Sequence, residues 1–172
     1  MIKIALFTIA ILVGLIVGYL VLSPSETDPV LVGAGDISNC SRTQDESTAQ
    51  LLDNVAGTVV TFGDNAYPDG TATQFSDCYG PTWGRHRDRT HPSPGNHDYH
   101  TVGASGYFGY FGALADDPTR GYYSYDLGAW HIVALNSEID HGIGSVQEQW
   151  LRADLATNQS NVYLSLLAQA AL

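Results

Sequence analysis

The stretch Pro94-Gly95-Asn96-His97-Asp98 is the one around which the rest of the chain is arranged. It places an amide, an imidazole and a carboxylate at three consecutive positions just after a turn. Two earlier segments, 30–36 and 58–64, are apolar and rich in β-branched residues, and each ends in Gly-Asp. Ligands of open α/β sheets bind outside the carboxyl ends of the strands. These three segments therefore predict that Asp36, Asp64 and Asn96 share one polar cleft.

The segment between the two Gly-Asp ends has the pattern of a helix. Thr43, with Glu46 three residues later, predicts a capped start, and Gly57 ends the element. The predicted apolar face consists of Ala49, Leu51, Leu52 and Val55. With strands at 30–34 and 58–62, this makes one β-α-β unit, whose parallel strands place both carboxylates at the same sheet edge.

The second half of the chain predicts a mixture of strands and helices. Residues 99–112 are rich in glycine and aromatic residues, and we expect most of these aromatics to pack in the interior. Segments 121–126 and 130–135 predict two consecutive strands, 145–156 a helix and 162–167 a further strand. His131 lies in one of these strands, and we interpret it as a structural histidine.

The chain is strongly acidic. Its 172 residues include 18 Asp and Glu but only 7 Lys and Arg, which gives a formal net charge of −11. A protein that binds nucleic acid needs a basic face, so the composition argues against that partner. An acidic cleft can still receive a phosphate group if metal ions invert the local charge.

The N-terminus contains a long apolar run. Residues 4–22 carry no charge and follow Lys3, which suits a membrane-inserting segment with the rest of the chain outside the cytoplasm. The run is longer than the apolar region of a typical secretory signal. An uncleaved signal anchor and a removed signal peptide are the two alternatives. We therefore expect a leader at 1–22, a linker at 23–29, one domain at 30–172, and an extracytoplasmic protein, membrane-anchored or secreted.

Two cysteines, Cys40 and Cys78, fit this external compartment. It is oxidising, and the count is even, so we predict a disulfide between them. The alternative is a pair of independent buried thiols.

One basic cluster occurs, at 85–89, and it is either a solvated helix end or a substrate rim that attracts an anion. Arg85 and His100 are the candidate residues of that rim.

The residues of the predicted cleft suit a pair of metal ions. A carboxylate can bridge two cations, and paired metals are the usual apparatus for in-line displacement at phosphorus. Asp64 is the candidate bridge, Asp36 would bind one metal and Asn96 the other. Tyr67, three residues after Asp64, is close enough to reach the metal at Asp36; the alternative is a tyrosine packed in a turn.

Two further residues of the central stretch are assigned to this cleft. His97 is next to a predicted ligand, so it is placed to meet the phosphate group or to protonate the leaving oxygen. Asp98 is expected to support the ligands from behind.

Three motifs together resemble those of a known family. Gly35-Asp36, Gly63-Asp64-Asn65-Ala66-Tyr67 and Gly95-Asn96-His97-Asp98 resemble the successive motifs of the calcineurin-like metallophosphoesterases. The Asp-x-x-Tyr version, with Ser38 where the broader superfamily commonly has histidine, is similar to the purple acid phosphatase branch. The resemblance covers roughly residues 30–160. It implies an α/β (α+β) fold with a β-sandwich flanked by helices, and an enzyme that hydrolyses phosphoric esters.

The same resemblance implies roles for individual residues. Asp36, Asp64 and Tyr67 would hold an iron(III). Asp64 and Asn96 would hold a divalent metal, which could be iron, zinc or manganese. His97 would assist catalysis.

The chain departs from the family in its last part. The family continues with further histidine motifs that complete both metal shells, whereas no histidine follows His141 here. We therefore expect residues 30–172 to be the N-terminal portion of such a domain, incomplete at its C-terminus. The competing hypothesis is a catalytically inactive, membrane-tethered remnant that binds at most one metal.

Overall fold

Three parallel strands form the central sheet: β1 (Leu31–Ala34), β3 (Thr58–Thr61) and β5 (Thr90–His91), in the order β1-β3-β5. The computed structural model describes residues 28–158 and 162–166. Helix α1 (Gln44–Asp53) connects β1 to β3. The predicted β-α-β unit is confirmed, with each of its strands one residue shorter than expected.

The chain segments that follow β1 and β3 remain paired beyond the sheet. The amide of Asp36 donates to the carbonyl of Gly63 at 3.3 Å, and the amide of Ile37 donates to the carbonyl of Asp64 at 3.0 Å. Two short strands, β2 (Ser38–Asn39) and β4 (Ala66–Tyr67), then pair in parallel. This second pairing keeps the two strand ends in a fixed register.

A second sheet covers one face of the first. It contains β6 (Tyr123–Leu127), β7 (Trp130–Ala134) and β8 (Val162–Leu166), with β6 antiparallel and β8 parallel to β7. Val60 of the central sheet packs with Ile132 and Leu166 of the second sheet. These strands were predicted from the sequence to within two residues at either end.

Helix α1 and residues 75–79 cover the opposite face of the central sheet, and the helix at 146–157 lies against the second sheet instead. Val59 packs there with Leu52 of α1 and with Phe75. The elements of this layer and of the remaining chain are α2 (Ala72–Gln74, continuing as a π-helix over Phe75–Tyr79), α3 (Ser105–Phe111), α4 (Val146–Thr157), and 3-10 helices at Trp83–Arg89, Asp98–His100, Val102–Ala104 and Gly112–Ala115. The fold is therefore of the mixed α/β class.

The aromatic residues between 99 and 112 pack largely as predicted. Tyr107 and Phe111 are fully buried, and both rings contact the ring of Phe75. Tyr110 is half-buried and stacks on Phe75, with ring centroids 5.1 Å apart. The glycine-rich aromatic segment is thus a helical part of the core.

Three details of the helix prediction are wrong. The helix ends at Asp53, before Val55 and four residues before Gly57. The side chain of Thr43 makes no capping hydrogen bond, because its backbone is not extended (φ −124°, ψ 4°) as a capping residue requires. The Asp45 carboxylate accepts a hydrogen bond from the amide of Glu46 instead, at 3.0 Å. Leu51, assigned to the apolar face, is 67% exposed. A capping box occurs instead at the start of α2, between Thr71 and Gln74.

The cysteine pairing agrees with the prediction, since Cys40 and Cys78 are bonded and their Cα atoms are 5.2 Å apart. This bond ties the loop after β2 to the π-helix.

Within the described residues, the helices are all too short or too polar to cross a membrane. The membrane segment predicted at 4–22 lies outside the described residues.

Candidate metal centre

Asp36 and Asp64 end their strands in the same unusual backbone conformation. Their φ angles are +55° and +52°, in the left-handed region that L-residues other than glycine seldom adopt. Aspartate is among the few side chains that tolerate it. Non-glycine residues in this region concentrate at functional sites, where the surrounding structure holds them. Because the chain segments after β1 and β3 are paired, both carboxylates lie at one edge of the sheet.

Tyr67 connects these two carboxylates. Its hydroxyl lies 2.9 Å from Asp64 Oδ2 and also hydrogen bonds to Asp36 Oδ1. Burial and the two neighbouring carboxylates raise the pKa of Tyr67 well above its usual range, so the hydroxyl keeps its proton. One proton cannot serve two carboxylates equally. The three oxygens therefore form a cluster with more negative charge than its single donor can offset.

The central stretch of the sequence lies against Asp64. The amide of His97 donates to Asp64 Oδ1 at 2.9 Å. Gly95 allows this approach, because a Cβ at that position would lie 2.4 Å from both the amide nitrogen and Oδ1 of Asp64. Asn96 lies between these two contacts and is half-buried. Among the described residues, its side-chain amide has no hydrogen-bond partner.

His97 is oriented by a backbone carbonyl. Its Nδ1 lies 2.6 Å from the carbonyl oxygen of Pro68, so Nδ1 carries the hydrogen and donates it. The other ring nitrogen, Nε2, is then left for a ligand. The ring packs on Tyr67 with centroids 4.2 Å apart, and His100 lies beside it with a centroid distance of 4.7 Å. The structure thus brings both histidines to the candidate centre.

Asp98 supports the loop from the interior. It is fully buried and accepts hydrogen bonds from the amide of Gly95 and the side chain of Asn65, each at 2.9 Å. Burial raises the pKa of Asp98 to about 6, although these hydrogen bonds oppose the shift. Asn65 also donates to the carbonyl of Ser93 at 2.9 Å. Sequence reasoning gave Asn65 no role, although its position directly after Gly-Asp was a signal.

Arg85 does not contribute to the candidate centre. Its guanidinium forms ion pairs with Glu46 and Asp53 of α1, both at 2.8 Å. Arg89, in the same 3-10 helix, donates to the carbonyls of Leu52 and Val55 at the end of α1. The basic cluster therefore holds α1 in place. Carboxylates of α1 already pair with the charge of Arg85, so the structure does not place Arg85 at a substrate rim.

His131 has the structural role predicted from the sequence. It is 5% exposed, with Nδ1 lying 2.7 Å from Asp126 Oδ1 and Nε2 lying 2.7 Å from Asp154 Oδ2. Both ring nitrogens are occupied, so this histidine is not available as a metal ligand.

The chemistry of the gathered donors suits a hard cation. Asp36, Asp64 and Tyr67 offer only oxygen atoms, and the amide oxygen of Asn96 would add another; hard cations prefer such ligands. The described part of the chain holds no group of three or more His, Cys, Asp and Glu side chains arranged for a metal ion. Of the four proposed ligands, only Asp36 and Asp64 are residues of those types, so the fit rests on the convergence of carboxylates and phenol.

A cavity opens beside these oxygens. Its volume is about 420 Å³, and its lining includes Asp36, Tyr67 and Arg42. Arg42 was not singled out by the sequence reasoning, because nothing in the loop 37–42 distinguishes it from an ordinary exposed arginine.

The sequence matches no protein-family model, and no curated protein matches it.

Proposed function

We propose that the chain hydrolyses phosphoric esters in a dinuclear metal centre of the calcineurin-like metallophosphoesterase type, in the purple acid phosphatase-like branch. The observation that carries this proposal is the convergence of Asp36, Asp64 and Tyr67, with one hydroxyl in hydrogen-bond contact with both carboxylates. Residues from two different strand ends meet there, as the motif resemblance requires. A tyrosine that only packed in a turn would not need to contact both carboxylates.

The packing of the two sheets supports the fold part of the proposal. The contact of Val60 with Ile132 and Leu166 joins the sheets face to face, and the other face of the central sheet carries helices. A metallophosphoesterase-like β-sandwich flanked by helices has this layering. The antiparallel β6–β7 pair and the parallel β7–β8 pair would be part of its second sheet.

The proposed ligand assignment follows the donors. Asp36 and Tyr67 would hold iron(III), Asn96 would hold a divalent iron, zinc or manganese ion, and Asp64 would hold both. When bound, the two ions supply positive charge for the phosphate group and for the attack of water on phosphorus. As a ligand, Tyr67 would bind through its phenolate oxygen, between the two carboxylates that it now contacts.

His97 would act on the leaving group. Because Nδ1 is fixed on the carbonyl of Pro68, the ring is held with Nε2 as its free position. When the ring is protonated on both nitrogens, Nε2 would give its proton to the leaving oxygen as the phosphorus–oxygen bond breaks. Water would supply the new oxygen on phosphorus and return one proton to the ring, so that a monoester would yield the alcohol and inorganic phosphate. His100 stands next to this ring and shares the same carbonyl at 3.2 Å, so it belongs to the proposed substrate rim.

A second candidate function is favoured by the composition of the centre. Only two carboxylates contribute, and no larger metal-binding cluster occurs among the described residues. A site with so few protein ligands loses affinity and cannot pre-organise two metals. A membrane-tethered remnant without activity, binding at most one metal, would have this composition.

Hydrolysis of p-nitrophenyl phosphate tests the proposal. The full chain should release p-nitrophenol when iron, zinc or manganese is added, and Asp64→Asn should abolish the release. Asp88→Asn, which changes an exposed carboxylate of the 3-10 helix at Trp83–Arg89, is the matched control and should retain activity. An absence of metal-dependent turnover in the wild type would favour the remnant.

The proposed location is outside the cytoplasm, with residues 4–22 as a membrane anchor or a secretion signal. The Cys40–Cys78 bond supports it, since disulfides persist in oxidising compartments. Alkylation of protein taken from its native compartment tests this point. Two free thiols there would argue against both the bond and the location.

A further inference from the structure

The cavity beside the candidate metal centre is lined by acidic groups and by one basic side chain. Asp36 and Asp45 contribute the negative charge, and Arg42 contributes the positive charge. Asp45 is 7% exposed, and its carboxylate accepts a hydrogen bond from the neighbouring amide of Glu46 at 3.0 Å. Among the described residues, Arg42 forms no ion pair with Asp45 or with any other acid.

The other arginines of the described chain are all engaged. Three of them form ion pairs: Arg85 with Glu46 and Asp53, Arg120 with Asp116 and Asp117, and Arg152 with Glu148. The other two donate to backbone carbonyls: Arg87 to those of Tyr110 and Phe111, and Arg89 to those of Leu52, Val55 and Gly57. Within residues 28–158 and 162–166, only the Arg42 guanidinium lacks a hydrogen bond, an ion pair and a ring contact.

Three structural features keep Arg42 next to Tyr67. Asn39 lies opposite Tyr67 in the β2–β4 pairing. The amide of Arg42 donates to the carbonyl of Asn39 at 2.9 Å, which closes a tight turn. Within that turn, Cys40 is bonded to Cys78 of the π-helix. Because the backbone of this loop is already fixed, binding a ligand would have to order only the side chain of Arg42.

We propose that Arg42 binds the phosphate group of the substrate in this cavity. The inference rests on the proposed function, because it assigns the cavity beside Asp36 and Tyr67 to a phosphate ester. Guanidinium matches phosphate oxygens with two parallel hydrogen bonds, and it stays charged at every working pH. Arg42 supplies the positive charge in a cavity whose other charged lining residues, Asp36 and Asp45, are acidic.

Calorimetric titration with inorganic phosphate tests the assignment without any turnover. The full chain, with its disulfide intact, is incubated with zinc and desalted before titration. We expect Arg42→Gln to weaken phosphate binding about tenfold, as loss of a charged hydrogen bond does. Arg42→Lys should restore part of the affinity. Arg152→Gln, which removes an exposed arginine of α4, should bind phosphate as the wild type does.

The outcomes separate this inference from the proposed function. Equal phosphate affinity in the wild type and Arg42→Gln would overturn the inference, and so would a wild type that binds no phosphate. Arg42-dependent phosphate binding without hydrolysis of p-nitrophenyl phosphate would reject the proposed hydrolysis and leave the anion site standing. Hydrolysis whose KM does not change in Arg42→Gln would reject the anion site alone.

Discussion

The hydroxyl of Tyr67 lies 2.9 Å from Oδ2 of Asp64, a residue only three positions earlier in the chain. The same hydroxyl reaches Asp36, which ends a different strand. A phenol has one proton to give, so the two carboxylates meet around a donor that satisfies one of them at a time. A cation bound at this point would offset their mutual repulsion.

Replacing Tyr67 by phenylalanine removes this oxygen and keeps the ring. If iron(III) binds through the phenolate, the iron-loaded protein should show a visible charge-transfer absorption, and Tyr67→Phe should abolish it. Absorption spectra of the two iron-loaded proteins measure the effect. Tyr163→Phe, an exposed tyrosine of β8, is the control and should keep the colour.

An iron-loaded Tyr67→Phe protein that keeps its colour would exclude Tyr67 as the ligand. A wild type that takes up only colourless divalent metals would move the assignment to the generic metallophosphoesterases. In both cases Asp36 and Asp64 would remain candidate ligands.

Gly95 gives a test of the approach between the central stretch and Asp64. A methyl group at this position would lie 2.4 Å from Asp64 Oδ1, so Gly95→Ala must displace the carboxylate or the loop. We expect at least about a tenfold loss of metal affinity, measured by titration, because a ligand held by the amide of His97 loses its position.

Gly109→Ala is the matched substitution. No atom lies within 4 Å of a Cβ at Gly109, which is in helix α3. It should leave metal affinity unchanged and increase the free energy of unfolding by up to about 1 kcal/mol. Similar metal affinities in the two alanine variants would show that the Gly95 contact does not position Asp64.

The buried carboxylate of Asp98 is expected to hold the loop in place. Asp98→Ala would leave the amide of Gly95 without its acceptor and remove one acceptor of the Asn65 side chain. We expect the free energy of unfolding to fall by about 3 kcal/mol in urea denaturation. Asp88→Ala, which removes an exposed carboxylate from a 3-10 helix, should change it by no more than about 0.5 kcal/mol. Equal effects of the two changes would contradict this role.

The His131 network predicts a pH-dependent stability. Burial of the ring opposes its charged form, but the hydrogen bonds with Asp126 and Asp154 prevail and raise the pKa of His131 above its ordinary value. A raised histidine pKa stabilises the fold below about pH 6.5, and this contribution is lost as the pH rises through the folded-state pKa. The hydrogen bond from His131 holds the pKa of Asp126 below its usual range. That second contribution is present above about pH 4 and is lost as the pH falls further.

His131→Gln measures this contribution. The difference in unfolding free energy between the wild type and this variant should be larger at pH 5.5 than at pH 9. A difference that does not change with pH, or that grows towards pH 9, would show that the histidine is held as a neutral ring.

The long-range placement of the candidate site could be predicted because strand ends are a strong signal. Two apolar runs that stop at Gly-Asp fixed the positions of Asp36 and Asp64, and β-α-β handedness and parallel pairing put them at one edge. The left-handed backbone at both residues could not be predicted, because aspartate adopts it only when the surrounding structure compensates for the strain.

The parts that sequence reasoning missed depend on contacts between distant segments. Strands β2 and β4 have two residues each, which is too short for any periodicity, and they form because β1 and β3 are already in register. Arg42 became a candidate only when the partners of the other arginines were known. Arg85 was misplaced for the converse reason, since its two acidic partners lie more than 30 residues away in the sequence.

Metal content is the measurement that tests the central claim most directly. The full chain, purified with its disulfide intact and loaded with iron and zinc, is analysed for bound metal beside the Asp64→Asn variant. A dinuclear centre bridged by Asp64 predicts two equivalents per chain in the wild type and a loss of at least one in the variant. No bound metal in the wild type, or one equivalent that Asp64→Asn leaves unchanged, would contradict it.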